Sequence, residues 1–235
     1  MTTLKSILFD RYKLFSLLTL SMAFSLFLLM IRIKINASFY LLFMVWNLFL
    51  AIVPFAISLR MTRHKRQHWF LFLIQFSAWL LFLPNAPYMI TDLLHLIKSD
   101  WYMMWLDILV ILSFAFNGLI LYYLSLFDME NLLNRYLKPS IVKPVITMII
   151  GLTAFGVYLG RFLRFNSWEI VSAPQQLFTD ILDIIIRPDV QAWLFTFTFG
   201  TFLAVSYKLL KYLNLSERNV NRDHPHNPED SQSAQ

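Results

Sequence analysis

The stretch FLPNAPYMITDLLHL, residues 82–96, follows an apolar run and contains several side chains that can take part in chemistry. Asp92 and His95 are three residues apart, so they share one face of a helix. A carboxylate beside an imidazole can orient it, act with it as a base, or bind a metal with it. Asp92 and His95 are therefore candidate catalytic residues or metal ligands, and the alternative is an interfacial polar cluster that caps a break in the helix.

A second polar cluster lies in YLGRFLRFNSWE, residues 158–169. Arg161 and Arg164 share a helix face, and paired guanidinium groups are well shaped for phosphate or carboxylate. Both arginines could instead extend to lipid headgroups from a helix end, or pair with Asp92, Asp107 or Glu169 in a buried network. Asn166, Ser167 and Glu169 follow closely and complete the polar segment.

The composition indicates which elements position these residues. The chain is 58% hydrophobic and 14% charged, with 23 Phe, whereas soluble domains are roughly 45–50% apolar and about 25% charged. The absence of Cys excludes disulfides, thiolate metal sites and a Cys nucleophile. The first apolar run, residues 14–31, exceeds the usual length of a signal-peptide core, and we expect a retained transmembrane helix.

We predict an all-α membrane bundle of about six spans, a single domain over residues 1–213, and a disordered cytoplasmic tail over 214–235. The predicted spans are residues 14–31, 39–59, 69–83, 104–126, 141–160 and 191–213. Pro84 and Pro87 break the third span, which resumes over residues 88–97, and Asn85 is suited to cap the break. Asn47 and Asn117 are expected to form interhelical hydrogen bonds.

The distribution of basic residues predicts the orientation. Fourteen of the 20 Lys and Arg residues fall on the side of the termini and six on the other side. The positive-inside rule therefore predicts cytoplasmic termini and places both polar clusters at the outer edge. There we predict one extracytoplasmic polar pocket.

Two further patterns predict packing and surface features. Gly156 and Gly160 form a G-x-x-x-G motif, which allows a helix of this chain or of a partner to approach closely. Residues 172–187 carry a polar stripe on an apolar helix, which predicts an outer interfacial helix, or alternatively a lid.

Both polar motifs resemble the hallmark segments of a bacterial family of predicted membrane proteins, domain of unknown function family 1361. The resemblance covers roughly residues 20–212. It implies a multi-pass protein of the bacterial plasma membrane and implies no activity. The positions that match the motifs are Pro84, Asn85, Pro87, Tyr88, Thr91, Asp92, His95, Gly160, Arg161, Arg164, Asn166, Ser167 and Trp168.

Three functions are compatible with these residues. The first is binding or handling of an anionic, lipid-phosphate-like ligand. The expected ligand-binding residues are Asn85, Tyr88, Thr91, Asp92, His95, Arg161, Arg164, Asn166 and Ser167. The second is a membrane-embedded hydrolase or transferase that uses Asp92 and His95, with Glu169 as a further catalytic candidate. The third is a structural or assembly partner in a membrane complex.

The sequence also limits the cofactors and partners. A catalytic zinc usually has three protein ligands, and His95 is the one His that the topology places on the outer side. Zinc is therefore disfavoured, and no cofactor is predicted. A metal-free variant of the enzyme would use Ser167 as nucleophile with His95. Membrane lipids are the expected partners, and nucleic-acid binding is not expected because the basic residues fit the topology rule without it.

Overall fold

The computed structural model describes residues 2–63, 68–98, 101–163, 175, 179 and 190–223. These residues form helices and the turns between them. The α-helices are α1 (Thr2–Asn36), α2 (Phe43–Arg63), α3 (Trp69–Phe82), α4 (Asn85–Tyr88), α5 (Met104–Leu133), α6 (Pro139–Phe162) and α7 (Val190–Asp223). Two 3₁₀ helices, Met89–Lys98 and Trp101–Met103, lie between α4 and α5.

Among the residues that the structure describes, six helical segments are long and apolar enough to cross a membrane. They are Tyr12–Asn36, Phe43–Arg63, Trp69–Ile97, Trp101–Leu133, Pro139–Phe162 and Val190–Leu213. The all-α bundle of six spans predicted from hydropathy is therefore confirmed. Helix α7 continues past the expected boundary at Leu213 to Asp223. The rest of the predicted tail, residues 224–235, lies outside the described residues.

The third span is interrupted where the prolines predicted a break. Helix α3 ends at Phe82, and α4 begins at Asn85. Pro84 has no N–H to donate, and the Asn85 side chain donates from Nδ2 to the carbonyl of Phe82 at 2.9 Å. The carbonyl freed by the break is thus satisfied within the protein, as a membrane environment requires.

The segment after the break is a 3₁₀ helix of 10 residues, Met89–Lys98. A 3₁₀ helix has three residues per turn, so side chains three apart eclipse one another. Asp92 and His95 therefore stack directly on one face of this helix. Runs of more than three or four residues are uncommon in this geometry, so tertiary contacts must hold the segment.

Helix α5 is the centre of the bundle and packs against α1, α2, α4, α6 and the longer 3₁₀ helix. Its Gly118 allows the break to approach closely, because a Cβ there would lie 2.3 Å from the carbonyl oxygen of Ala86. Asn117 donates to Ser21 O at 3.3 Å and to Ser25 Oγ at 2.9 Å, both on α1. This confirms the interhelical role expected of Asn117.

Consecutive spans alternate in direction, so residues from distant parts of the sequence meet at two ends of the bundle. At one end, Glu130 of α5 accepts hydrogen bonds from Tyr207 Oη and Lys211 Nζ of α7, each at 2.5 Å. At the other end lie the last turns of α1 and α6, the start of α2 and the longer 3₁₀ helix. This second end, which we call the cluster end, contains the predicted polar residues.

Candidate functional site

A buried ion pair joins the two motifs at the cluster end. Arg161 Nη1, in the last turn of α6, lies 3.2 Å from Asp92 Oδ1 on the 3₁₀ helix. The Asp92 side chain is fully buried and that of Arg161 is 12% exposed. Asn47 of α2 donates from Nδ2 to Asp92 Oδ2 at 3.2 Å, which confirms its expected interhelical role. A buried carboxylate is costly unless it is paired and hydrogen-bonded, and Asp92 has both kinds of partner.

Arg161 makes several further contacts with the segment that carries Asp92. Its Nη1 donates to Tyr88 Oη at 3.2 Å, and its Nη2 donates to the carbonyl oxygen of Thr91. The guanidinium carbon lies 5.2 Å from the centre of the Tyr88 ring, within the range of a cation–π interaction. One donor, Arg161 Nε, is buried and has no hydrogen-bond partner among the described residues.

His95 lies between the ion pair and a tyrosine of the α1–α2 connection. Its Nδ1 is 2.7 Å from Tyr40 Oη, and its Nε2 is 3.4 Å from Arg161 Nη1. The distance from Nε2 to Asp92 Oδ1 is 3.8 Å. Because Arg161 can only donate, these distances favour the tautomer in which Nε2 accepts from Arg161 and Nδ1–H donates to Tyr40. The His95 side chain is 28% exposed, against 12% for that of Arg161.

A second buried ion pair lies at the same end. Arg32 Nε of α1 donates to Asp107 Oδ1 of α5 at 2.8 Å, and the two side chains are 6% and 2% exposed. The sequence allows Asp107 to pair with Arg161 or Arg164. The structure pairs Arg161 with Asp92 and gives Asp107 to Arg32, an arginine that sequence reasoning did not single out.

The structure brings five of the predicted ligand-binding residues together. They are Tyr88, Thr91, Asp92, His95 and Arg161. Asn85 lies at the break, where it bonds to Phe82. The remaining predicted site residues lie outside the described part of the chain: Arg164, Asn166, Ser167, Trp168 and Glu169. Nearly all of the predicted interfacial helix over 172–187 also lies outside it.

Tyr40 is the contact residue that sequence reasoning missed. It lies in the turn before α2, which begins at Phe43, whereas the predicted span began at residue 39 and placed Tyr40 within the helix. The G-x-x-x-G motif has an internal contact, since a Cβ at Gly156 would lie 2.6 Å from Pro84 Cγ. Its predicted role with a partner chain stays a prediction.

The arrangement is suited to holding an oxyanion. An arginine and an amide face one carboxylate, and the same arginine also donates to a tyrosine hydroxyl; interactions of a guanidinium or an amide N–H with an anionic oxygen are charge-assisted and strong. Asp92 and His95 belong to no group of three or more His, Cys, Asp or Glu side chains that could hold a metal, within the part of the chain the structure describes.

Comparison with known proteins gives one match. A family model described as a protein of unknown function (DUF1361) matches residues 46–206. This range includes Asn47, both polar motifs and the break. No curated protein matches the chain, and no solved structure matches it.

Proposed function

The chain belongs to the DUF1361 family, and we propose that it is a bacterial plasma-membrane protein that binds an anionic, phosphate-like headgroup at the outer edge of the membrane. The termini would lie in the cytoplasm. The distribution of Lys and Arg supports this orientation, because fourteen of 20 fall on the side of the termini. The cluster end would then face the outer leaflet.

The observation that carries the proposal is the set of donors around Asp92. Arg161 and Asn47 both face Asp92, which supplies the oxyanion between them, and the Tyr88 hydroxyl accepts from Arg161 beside it. A ligand phosphate also offers anionic oxygen acceptors, and it has more of them than the Asp92 carboxylate. Arg161 also keeps Nε, a donor without a partner among the described residues, so it has capacity for a further acceptor.

Asp92 would compete with the ligand for binding to Arg161. Its carboxylate neutralises Arg161, and removing one partner of a buried pair leaves a costly unpaired charge. A neutral ligand would therefore not displace Asp92, whereas an anion would restore the charge balance of Arg161. The released Asp92 would keep Asn47 as a donor and would take up a proton, because a buried carboxylate without Arg161 beside a bound anion is costly. The site would in this way select anions over neutral headgroups.

Two substitutions of opposite expected effect test the proposal. Arg161→Gln removes the cation and should weaken binding of phosphatidylglycerol by about tenfold or more, the effect of losing a hydrogen bond to a charged group. Asp92→Asn removes the competitor and should strengthen binding. Native mass spectrometry in mild detergent measures the retained lipid, and a thermal-shift titration measures the affinity. Diacylglycerol, which lacks the phosphate, serves as the neutral reference and inorganic phosphate as the headgroup without chains.

The matched control is Arg135→Gln, which removes an exposed arginine that bonds to Thr62 O at the opposite end. It should leave binding unchanged. Binding of phosphatidylglycerol but not of inorganic phosphate would assign a lipid headgroup, and equal binding of both would assign a free phosphate. Weaker binding in Asp92→Asn, or unchanged binding in Arg161→Gln, would contradict the proposal.

A structural role is the second candidate, because Arg161 bonds to the Thr91 carbonyl and the Tyr88 hydroxyl and so attaches the 3₁₀ helix to α6. In that case Arg161→Gln and Asp92→Asn would both lower thermal stability, and neither would change the lipid that is retained. The opposite signs expected for lipid binding distinguish the two roles.

A further inference from the structure

The α1–α2 connection, residues 37–42, links the two ion pairs of the cluster end. Arg32 Nη1 donates to the carbonyl of Ser38 at 2.9 Å, and the Tyr40 N–H donates to Ser38 Oγ at 3.3 Å. Tyr40 in turn contacts His95 through its hydroxyl. A continuous series of polar contacts therefore runs from Asp107 through Arg32, Ser38 and Tyr40 to His95.

The connection is held in a conformation that it would not favour alone. Ala37, directly after α1, has φ of 48°, in the left-handed region that residues with a Cβ adopt at a cost of about 1–2 kcal/mol. Such conformations persist where the surrounding contacts determine them. Here the contact comes from Arg32. Its Nε donates to Asp107, and its Nη1 donates to the carbonyl of Ser38, the residue after Ala37.

Tyr40 contacts His95, a partly exposed side chain of the candidate site. Its ring lies edge-on to His95, with centroids 5.7 Å apart and an interplanar angle of 74°, and Phe43 lies 4.8 Å from the same imidazole. Tyr40 is itself half-buried. The imidazole that borders Arg161 and Asp92 is thus packed against two aromatic rings, and Tyr40, in the short connection, also contacts its Nδ1.

From these contacts we infer that Tyr40 gates access to His95 and Arg161, and that the Arg32–Asp107 pair is the positioning device that keeps the gate closed. This goes beyond the proposed function, since it concerns entry to the site and holds whatever ligand the site takes. A molecule that reaches Arg161 past His95 must displace the Tyr40 hydroxyl. Loosening Arg32 from Asp107 frees Ser38 and, through it, the Tyr40 backbone.

The test measures the reactivity of His95 in the purified full-length protein. Diethyl pyrocarbonate acylates the unprotonated nitrogen of an accessible imidazole, which at His95 is Nε2 beside Arg161, and peptide mass spectrometry gives the modification rate of each His. Tyr40→Phe keeps the ring and removes the hydroxyl, and it should raise the rate at His95 about fivefold, the equilibrium effect of losing one hydrogen bond. Asp107→Asn keeps the shape and removes the charge, and it should raise the rate similarly because it loosens Arg32 from the connection.

Three references make the result specific. His68, an exposed residue at the start of α3, should react at the same rate in every variant. Tyr102→Phe makes the same chemical change on a tyrosine that is 86% exposed. Glu130→Gln breaks the buried contacts to Tyr207 and Lys211 at the opposite end. Neither control should change the rate at His95.

An unchanged rate at His95 in Tyr40→Phe would overturn the gate. A raised rate in Tyr40→Phe with an unchanged rate in Asp107→Asn would overturn the role of the ion pair. Equal increases in Glu130→Gln would show general loosening and overturn both. Tyr40→Phe is conservative, so the gate stays testable if Asp107→Asn does not fold. The reagent is uncharged, so these outcomes are independent of whether the site binds an anion.

Discussion

At the scale of single residues, the Asp92–Arg161 pair is the feature on which the site depends. Both groups are buried near one end of a membrane bundle, where an unpaired charge is expensive. The pair has three supporting contacts, from Asn47 to Asp92 and from Arg161 to Tyr88 and Thr91. The two residues should therefore behave as one unit when either is substituted.

A double-mutant cycle on Asp92→Asn and Arg161→Gln measures this coupling. Each single variant should lower the free energy of unfolding by about 3–5 kcal/mol, because the remaining charge is buried without its partner. The double variant should lose less than the sum of the single losses. Lys143→Gln, at an exposed position of the same helix α6, should change stability by at most about 0.5 kcal/mol. Purely additive losses would show that the pair is not coupled.

At the scale of elements, the break in the third span creates the site. It ends α3 early enough for the chain to turn, and the 3₁₀ helix then stacks Asp92 over His95. The break needs space, which two glycines provide: Gly118 faces the Ala86 carbonyl and Gly156 faces the Pro84 ring. The close packing of α6 on this turn also brings Arg161 to the 3₁₀ helix.

Adding a methyl group at Gly156 tests the packing of α6 on the break. A Cβ there would lie 2.6 Å from Pro84 Cγ, and the rigid proline ring cannot move aside, so Gly156→Ala should cost about 1–3 kcal/mol. Gly151→Ala on the same helix is the matched control, since nothing lies within 4 Å of its Cβ position. That control should be neutral or stabilising by up to about 1 kcal/mol. Thermal unfolding in detergent gives both values, and equal effects would contradict the packing.

At the scale of the whole molecule, six spans bring residues from four separate segments to one end. The cluster end collects the α1–α2 connection, the first turns of α2, the 3₁₀ helix and the end of α6. The proposed function requires this end to face outwards. The absence of Cys allows the orientation to be tested with single-cysteine variants that need no background substitutions.

Trp101→Cys and Tyr136→Cys report on the two ends. Trp101 is 87% exposed at the start of the fourth span, and Tyr136 is 59% exposed in the α5–α6 connection. In intact cells, a membrane-impermeant maleimide should label Trp101→Cys at once and Tyr136→Cys only after permeabilisation. The parent chain is the unlabelled control. The reverse pattern would place the cluster end in the cytoplasm.

The sequence by itself determined the membrane class, the six spans, the break at Pro84 and the shared face of Asp92 and His95. These features are local, since hydrophobic length, proline chemistry and spacing along a helix act over a few residues. The sequence also placed Arg161 and Asp92 on one side of the membrane, because the parity of the spans decides the side of each connection.

Only the tertiary structure decided the partners. Sequence reasoning left Arg161 free to pair with Asp92, Asp107 or Glu169, because all are acidic groups at the same end. Helix packing selected Asp92 by setting α6 against the break at Gly156, and it gave Asp107 to Arg32 on α1. Tyr40 became part of the site through a contact 55 residues away in sequence. Such contacts depend on how helices cross and rotate about their axes, and hydropathy contains no information on either.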